Sequence, residues 1–177
     1  MKAGWATVCG VRWDSLFSDL QAQWEAELRA GDDEEIRELA EAEAAGTRFG
    51  DRLRGRRGEP LTVRLSDGSD RTGIVSDVAQ EWVLLAEGER RHLVPVAAIA
   101  LAWPLAGAAP APSAVERGLG LGHVLRALAG EGQQVVVRTH GGDHTGLLVR
   151  VGADHLDVAA GSVLSVPWSA LLSVSSR

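Results

Sequence analysis

The chain has 177 residues, 24 Asp plus Glu against 18 Lys plus Arg, a formal charge of -6 and 45% apolar residues. That size and balance allow one ordinary globular domain or two very small ones, and they exclude collagen-like, coiled-coil and wholly disordered chains. A lone Cys9 cannot close an internal disulfide and residues 1–12 lack the apolar stretch of a signal peptide, so a reducing cytoplasm is the expected compartment.

The basic residues are 17 Arg and a single Lys, and Asn and Tyr are absent. This is a bias of translation from GC-rich genomes, similar to that of actinobacterial proteins, and it carries no function. Charge placement is more informative. Residues 14–45 hold 11 acidic and 2 basic side chains, whereas residues 46–177 hold 13 acidic and 14 basic. The acidity therefore belongs to the N-terminal third, and the remainder is balanced.

In chain order, residues 1–12 fit no periodic pattern and read as a disordered extension. Residues 13–57 read as a helical hairpin. In its first helix Leu16, Phe17, Leu20, Trp24 and Leu28 share one face behind Asp14 or Ser15 as N-cap. Gly31 ends that helix, and Asp32 with Glu35 opens a second one carrying Ile36, Leu39, Phe49 and Leu53. Residues 58–103 predict a first small β-barrel. Residues 93–115 carry no charge and match a membrane span in length, but Pro95, Pro104, Pro110 and Pro112 interrupt them, so no membrane segment is expected. Residues 104–112 read as an Ala/Pro linker. Residues 113–130 predict a helix that opens on the capping box Ser113 to Glu116, with Leu121, Val124, Leu125 and Leu128 on its apolar face. Residues 131–177 predict a second small β-barrel.

The barrels are expected because the two segments correspond. Leu61-Thr62-Val63-Arg64-Leu65 aligns with Val135-Val136-Val137-Arg138-Thr139, Gly73-Ile74-Val75 with Gly146-Leu147-Leu148, and Trp82 to Ala86 with His155 to Ala159. Val94-Pro95 and Ala98-Ile99 align with Val166-Pro167 and Ala170-Leu171, so Gly, Pro and apolar positions agree over four successive segments. Short alternating strands between Gly and Asp turns suit small, strongly bent barrels. The expected fold class is therefore α+β, mainly β: an N-terminal helical hairpin, then two duplicated helix-plus-five-strand small barrels.

Val63 to Gly68, followed by Gly73-Ile74-Val75, resembles the first motif of the Sm-like (LSm and Hfq) family, and residues 92–99 lie where its second motif falls. Other SH3-like barrels, including PRC-type barrels, share the valine-proline step. The Sm-like resemblance implies ring assembly by strand pairing and binding of single-stranded RNA. The base-contacting Asn of that family is replaced by Trp82-Val83 and His155-Leu156, and its Arg-Gly pair by Pro95-Val96 and Pro167-Trp168, while Arg91-His92 resembles the basic pair of Hfq.

Two candidate surfaces follow. Arg48, Arg52, Arg54, Arg56 and Arg57, with Arg64, Arg71, Arg91 and His92, supply cations for a single-stranded nucleic acid. The helix stripe Trp13, Leu16, Phe17, Leu20, Trp24 and Leu28 offers an anchor for a protein partner. His140, Asp143, His144, Asp154 and His155 compose hairpin tips rather than a metal-binding spacing. No nucleophile sits beside a base and no loop cradles phosphate, so no catalytic residue, cofactor or metal is expected. The chain reads as a non-catalytic interaction, scaffold or regulatory protein with an unidentified protein partner and self-association through edge strands, the alternative being an RNA- or DNA-binding regulator.

Overall fold

The computed structural model describes residues 41, 45–105, 107, 109 and 119–176. Two compact units divide the chain, residues 1–47 and residues 48–177. In the first, Glu41, Ala45 and Gly46 are helical.

In the second unit, short alternating segments form ten strands: β1 (Pro60–Leu65), β2 (Asp70–Val78), β3 (Trp82–Glu87), β4 (Arg90–Pro95), β5 (Ile99–Trp103), β6 (Gln134–Thr139), β7 (Gly142–Val151), β8 (His155–Ala160), β9 (Ser162–Pro167) and β10 (Leu171–Ser176). The period of two is visible in burial. Leu61, Val63 and Leu65 of β1 point inward, as do Val135, Val137 and Thr139 of β6. A 3-10 turn separates β4 from β5 (Val96–Ala98) and β9 from β10 (Trp168–Ala170). Both turns follow a proline that ends the preceding strand and cannot donate to a ladder.

These strands make one antiparallel sheet in the order β5-β1-β2-β3-β4-β10-β6-β7-β8-β9. It is not closed, which corrects the expectation of two helix-plus-five-strand small barrels. The free edge of β4 is taken by β10 from the second run of strands, so neither run closes on itself. Within each run the fifth strand pairs with the first, as β5 with β1 and β10 with β6. The second strands behave alike too, with register shifts between Val75 and Asp77 and between Leu148 and Arg150. Just before each shift a glycine lets the neighbouring backbone approach. A Cβ on Gly73 would lie 2.6 Å from the Ala86 carbonyl oxygen, and one on Gly146 would collide with that of Ala159.

The expected N-terminal helical hairpin is also corrected. Among the described residues there are two helices with defined ends, α1 (Phe49–Arg54) and α2 (Leu121–Glu131). Thr47 and Arg48 are not helical, so α1 is a separate six-residue turn of helix that buries Leu53. The first helix of the expected hairpin lies outside the described residues, as does the Ser113 to Glu116 capping box. Helix α2 starts later than the 113–130 pattern suggests, with Gly120 as N-cap, and ends at Gly132, whose φ of 62° suits a left-handed C-cap.

Two apolar cores lie along the sheet, and they exchange residues. One gathers Leu53, Val63, Leu65, Val75 and Leu85 with Leu172, which comes from β10. The other gathers Leu121, Leu125, Val137, Leu156 and Val158 with Ala79, Trp82 and Leu93 from the first run. Polar contacts reinforce this interlock. The Trp82 indole N–H donates to the Leu119 carbonyl at 2.8 Å, and the Glu81 carboxylate accepts from the Leu121 amide at 2.8 Å, at the positive end of α2. No helix among the described residues is long and apolar enough to cross a membrane.

Leu172 is fully buried in the core of the other run. Leu172→Ala should therefore lower the stability of the whole sheet by about 2–5 kcal/mol, seen as one cooperative urea transition at a lower midpoint. Two separate transitions, with only the second run affected, would contradict the interlock.

Candidate interaction surfaces

The arginine cluster is used largely within the fold. Arg52 donates to the Leu105 carbonyl at 3.1 Å, and Arg54 reaches the Ala109 carbonyl and the Asp51 carboxylate, leaving its side chain 9% exposed. Arg56 pairs with Glu59 and donates to the Pro60 carbonyl, while Arg57 pairs with Asp77. The Arg48 backbone N–H donates to Asp51 at the start of α1. These cations therefore tie α1 to the chain after β5 and to the start of β1. Arg64 forms a two-point pair with Asp70, at 2.7 and 2.9 Å, and lies over the Trp103 ring.

Arg71, Arg91 and His92 lie elsewhere, where β4 meets β10. Strand alternation splits Arg91 from His92. His92 lines a cavity with Arg71, Arg90 and Arg138, whereas Arg91 lines a different one with Leu93, Leu128 and Val174. The proposed nucleic-acid residues thus do not share one face: one set lies around α1 and β1, Arg71 and His92 line one cavity, and Arg91 lines another. Trp13, Leu16, Phe17, Leu20, Trp24 and Leu28 lie outside the described residues.

The β4–β10 seam is short. It pairs Leu93 with Val174 and His92 with Ser175, and side chains extend it. His92 is 6% exposed, with Nε2 3.0 Å from a Glu87 carboxylate oxygen and Nδ1 2.7 Å from the Ser175 hydroxyl. A carboxylate only accepts, so the ring proton sits on Nε2 and Nδ1 accepts from Ser175. One step along, the Arg91 amide donates to the Ser176 hydroxyl at 2.9 Å. Burial holds the His92 pKa below its ordinary 6.5, and the Arg71 and Arg90 charges act the same way against the opposing pull of Glu87.

At the two ends of the sheet are β5 and β9, each with one edge unpaired among the described residues. Neither strand contains a charged residue. Leu101 (55% exposed) and Trp103 (40%) stand on β5, and Val163 (64%) on β9. Charges and prolines within a strand are the usual protection of such edges, and here only Pro167 at the end of β9 provides any.

Outside these surfaces, His140 occupies a turn and approaches the Ser66 hydroxyl at 3.4 Å, and His155 opens β8 and bonds Asp154. Asp143 forms a two-point pair with Arg138, at 2.9 and 2.7 Å. Among the described residues no three potential metal ligands converge. The seam residues Glu87, Arg90, Arg138, Ser175 and Ser176 escaped sequence reasoning because only the pairing of β4 with β10, some 80 positions apart, brings them together. The local signal was the polar pair Ser175-Ser176 at the end of β10. Comparison of the chain with protein-family models and with curated proteins gave no match.

The His92 environment predicts a pH dependence with a definite sign. Its pKa is lower in the folded than in the unfolded state, so the unfolded chain takes up the proton first as pH falls below 6.5. The stability associated with neutral His92 is present above 6.5 and declines on acidification towards the folded pKa. Urea titrations at pH 7.5 and pH 5 should show that loss, and His92→Gln should flatten it. An unchanged slope in the variant would refute the assignment.

Proposed function

We propose that this protein is a non-catalytic interaction and scaffold module that associates with further copies of itself through the edges of its sheet, β9 of one copy pairing with β5 of the next. The observation that carries the reading is that both terminal strands are uncharged, with exposed Leu101, Trp103 and Val163. Internal geometry supports the choice of partner. The β4–β10 seam joins the fourth strand of the first run to the fifth strand of the second, and the edges unpaired among the described residues are the fifth strand of the first run and the fourth of the second. On the reading that the two runs are copies of one ancestral unit, a β9–β5 contact between molecules repeats the seam within each molecule. The Sm-like resemblance, which implies assembly by strand pairing, agrees with this and rests on the sequence. The arginines near α1 support nucleic-acid binding less well, since they are bonded within the fold.

Light scattering across a concentration series tests the proposal. The apparent mass should rise above the 18.7 kDa of one chain. Val163→Lys or Leu101→Lys should weaken association at least about tenfold, because a lysine on an edge strand opposes pairing, with the far-UV circular dichroism unchanged. A monomer at every concentration would overturn self-association. Salt-dependent binding of single-stranded RNA by that monomer, lost on changing Arg54, Arg56 and Arg57 together to Ala, would establish the rival reading instead.

A further inference from the structure

The cavity beside the seam has a volume of about 450 Å³ and opens between β2, β4, β6 and β10. Cations from three of these strands line it: Arg71 on β2, Arg90 on β4 and Arg138 on β6. The carboxylates around it already have partners. Asp70 is held at two points by Arg64, Asp143 at two points by Arg138, Asp67 accepts from Ser69, and Glu87 faces His92.

Arg71 is different. Its bond to the Asp70 carbonyl, at 2.8 Å, leaves Nε buried and without a hydrogen-bond partner among the described residues. Nε of Arg56 is buried and unpaired in the same way, so what sets Arg71 apart is its place in the cavity lining beside Arg138. Arg138 is fixed through Nε and Nη2 by Asp143, whereas its Nη1 makes only a long ion pair with the Asp67 carboxylate, at 3.8 Å and without a hydrogen bond. Burial and the nearby Arg138 charge lower the Arg71 pKa, against the opposing pull of Asp143, Asp67 and Glu87.

The sheet contains its own comparison. On β9, counting back from Pro167 as from Pro95 on β4, the positions of Arg90 and His92 are held by Ser162 and Leu164. On β7, opposite Val137 as Arg71 is opposite Val63, stands His144. Arg71 and Arg90 therefore have no arginine counterpart in the second run, whereas Arg138 matches Arg64 of β1 and, like it, pairs at two points with an aspartate.

We propose that the seam cavity binds the phosphate group of a small, polar phosphate ester, with Arg71 and Arg138 as the anion clamp and Arg90 at the mouth. Donors from separate strands surround an oxyanion from several directions, which suits tetrahedral phosphate. The volume exceeds that needed for phosphate alone, and Thr72, Glu87, Ser175 and Ser176 offer hydrogen bonds to a hydroxylated remainder. This site is separate from the sheet edges and independent of self-association.

The test is calorimetric titration of the full chain with inorganic phosphate and with glucose 6-phosphate, against potassium chloride at matched ionic strength. Both phosphates should bind, and the ester should bind more tightly; tighter binding of inorganic phosphate would limit the site to the free anion and overturn the ester assignment. Arg71→Gln should weaken binding about tenfold or more, while Arg150→Gln, at an exposed position on β7 away from the cavity, should leave it unchanged. If Arg71→Gln does not fold, Arg90→Gln, at an exposed position on β4, carries the same expectation. Failure of both phosphates to bind above the chloride control, or equal binding by the Arg71 and Arg150 variants, would overturn the proposal.

Discussion

The pairing of β4 with β10 decides the rest of this structure. Only two residue pairs, Leu93 with Val174 and His92 with Ser175, make the backbone register, yet this short ladder converts two runs of five strands into one sheet. So few bonds would not hold two bodies together against the entropy of joining them. Burial supplies what the ladder lacks. Leu172 crosses into the first core, and Trp82 and Leu93 cross into the second, so separating the runs would expose apolar surface on both sides. The same seam sets the polar chemistry, because it brings His92 to Glu87 and Ser175 and leaves Arg71 and Arg138 facing one cavity.

Much of the local structure is legible in the chain. Alternation in Leu61-Thr62-Val63-Arg64-Leu65, the glycines at 73 and 146 and the prolines at 95 and 167 mark strands, close approaches and strand ends, because each depends on neighbours in sequence or on one backbone requirement. What an unpaired edge does next is not local. A small barrel and an open sheet share the same alternation and turns, and they differ only in which strand satisfies the edge of β4. The break at Thr47–Arg48 escaped for a related reason, since the apolar spacing of Leu39, Phe49 and Leu53 continues through it while the Arg48 amide turns instead to the Asp51 carboxylate. Candidate residues fared unevenly. Arg71 and His92 do meet at one site, but the dense run Arg52, Arg54, Arg56 and Arg57 is drawn into bonds with carbonyls and acids beside α1.

That division of arginines has a physical logic. An arginine whose neighbours are backbone carbonyls and a nearby carboxylate serves as a fastener, and its charge is largely spent. One that lines a cavity beside another arginine, as Arg71 does beside Arg138, directs its field into that cavity. Charge density along a sequence does not distinguish the two, because both read as Arg in a basic stretch. Their difference arises only when distant strands wall off one set from water and leave the other at a helix end.

The interlocked cores have a further consequence. Between β5 and α2 the chain passes from one run to the other, yet the apolar residues that cross between the two cores, Ala79, Trp82, Leu93 and Leu172, all lie outside that connection. A molecule cleaved there would keep its two pieces together, as a complemented pair, whereas each piece made alone would lack the residue that completes its core. The covalent link mainly raises the local concentration of one run around the other. The sheet is in this sense already an assembly of two parts that happen to be encoded as one chain.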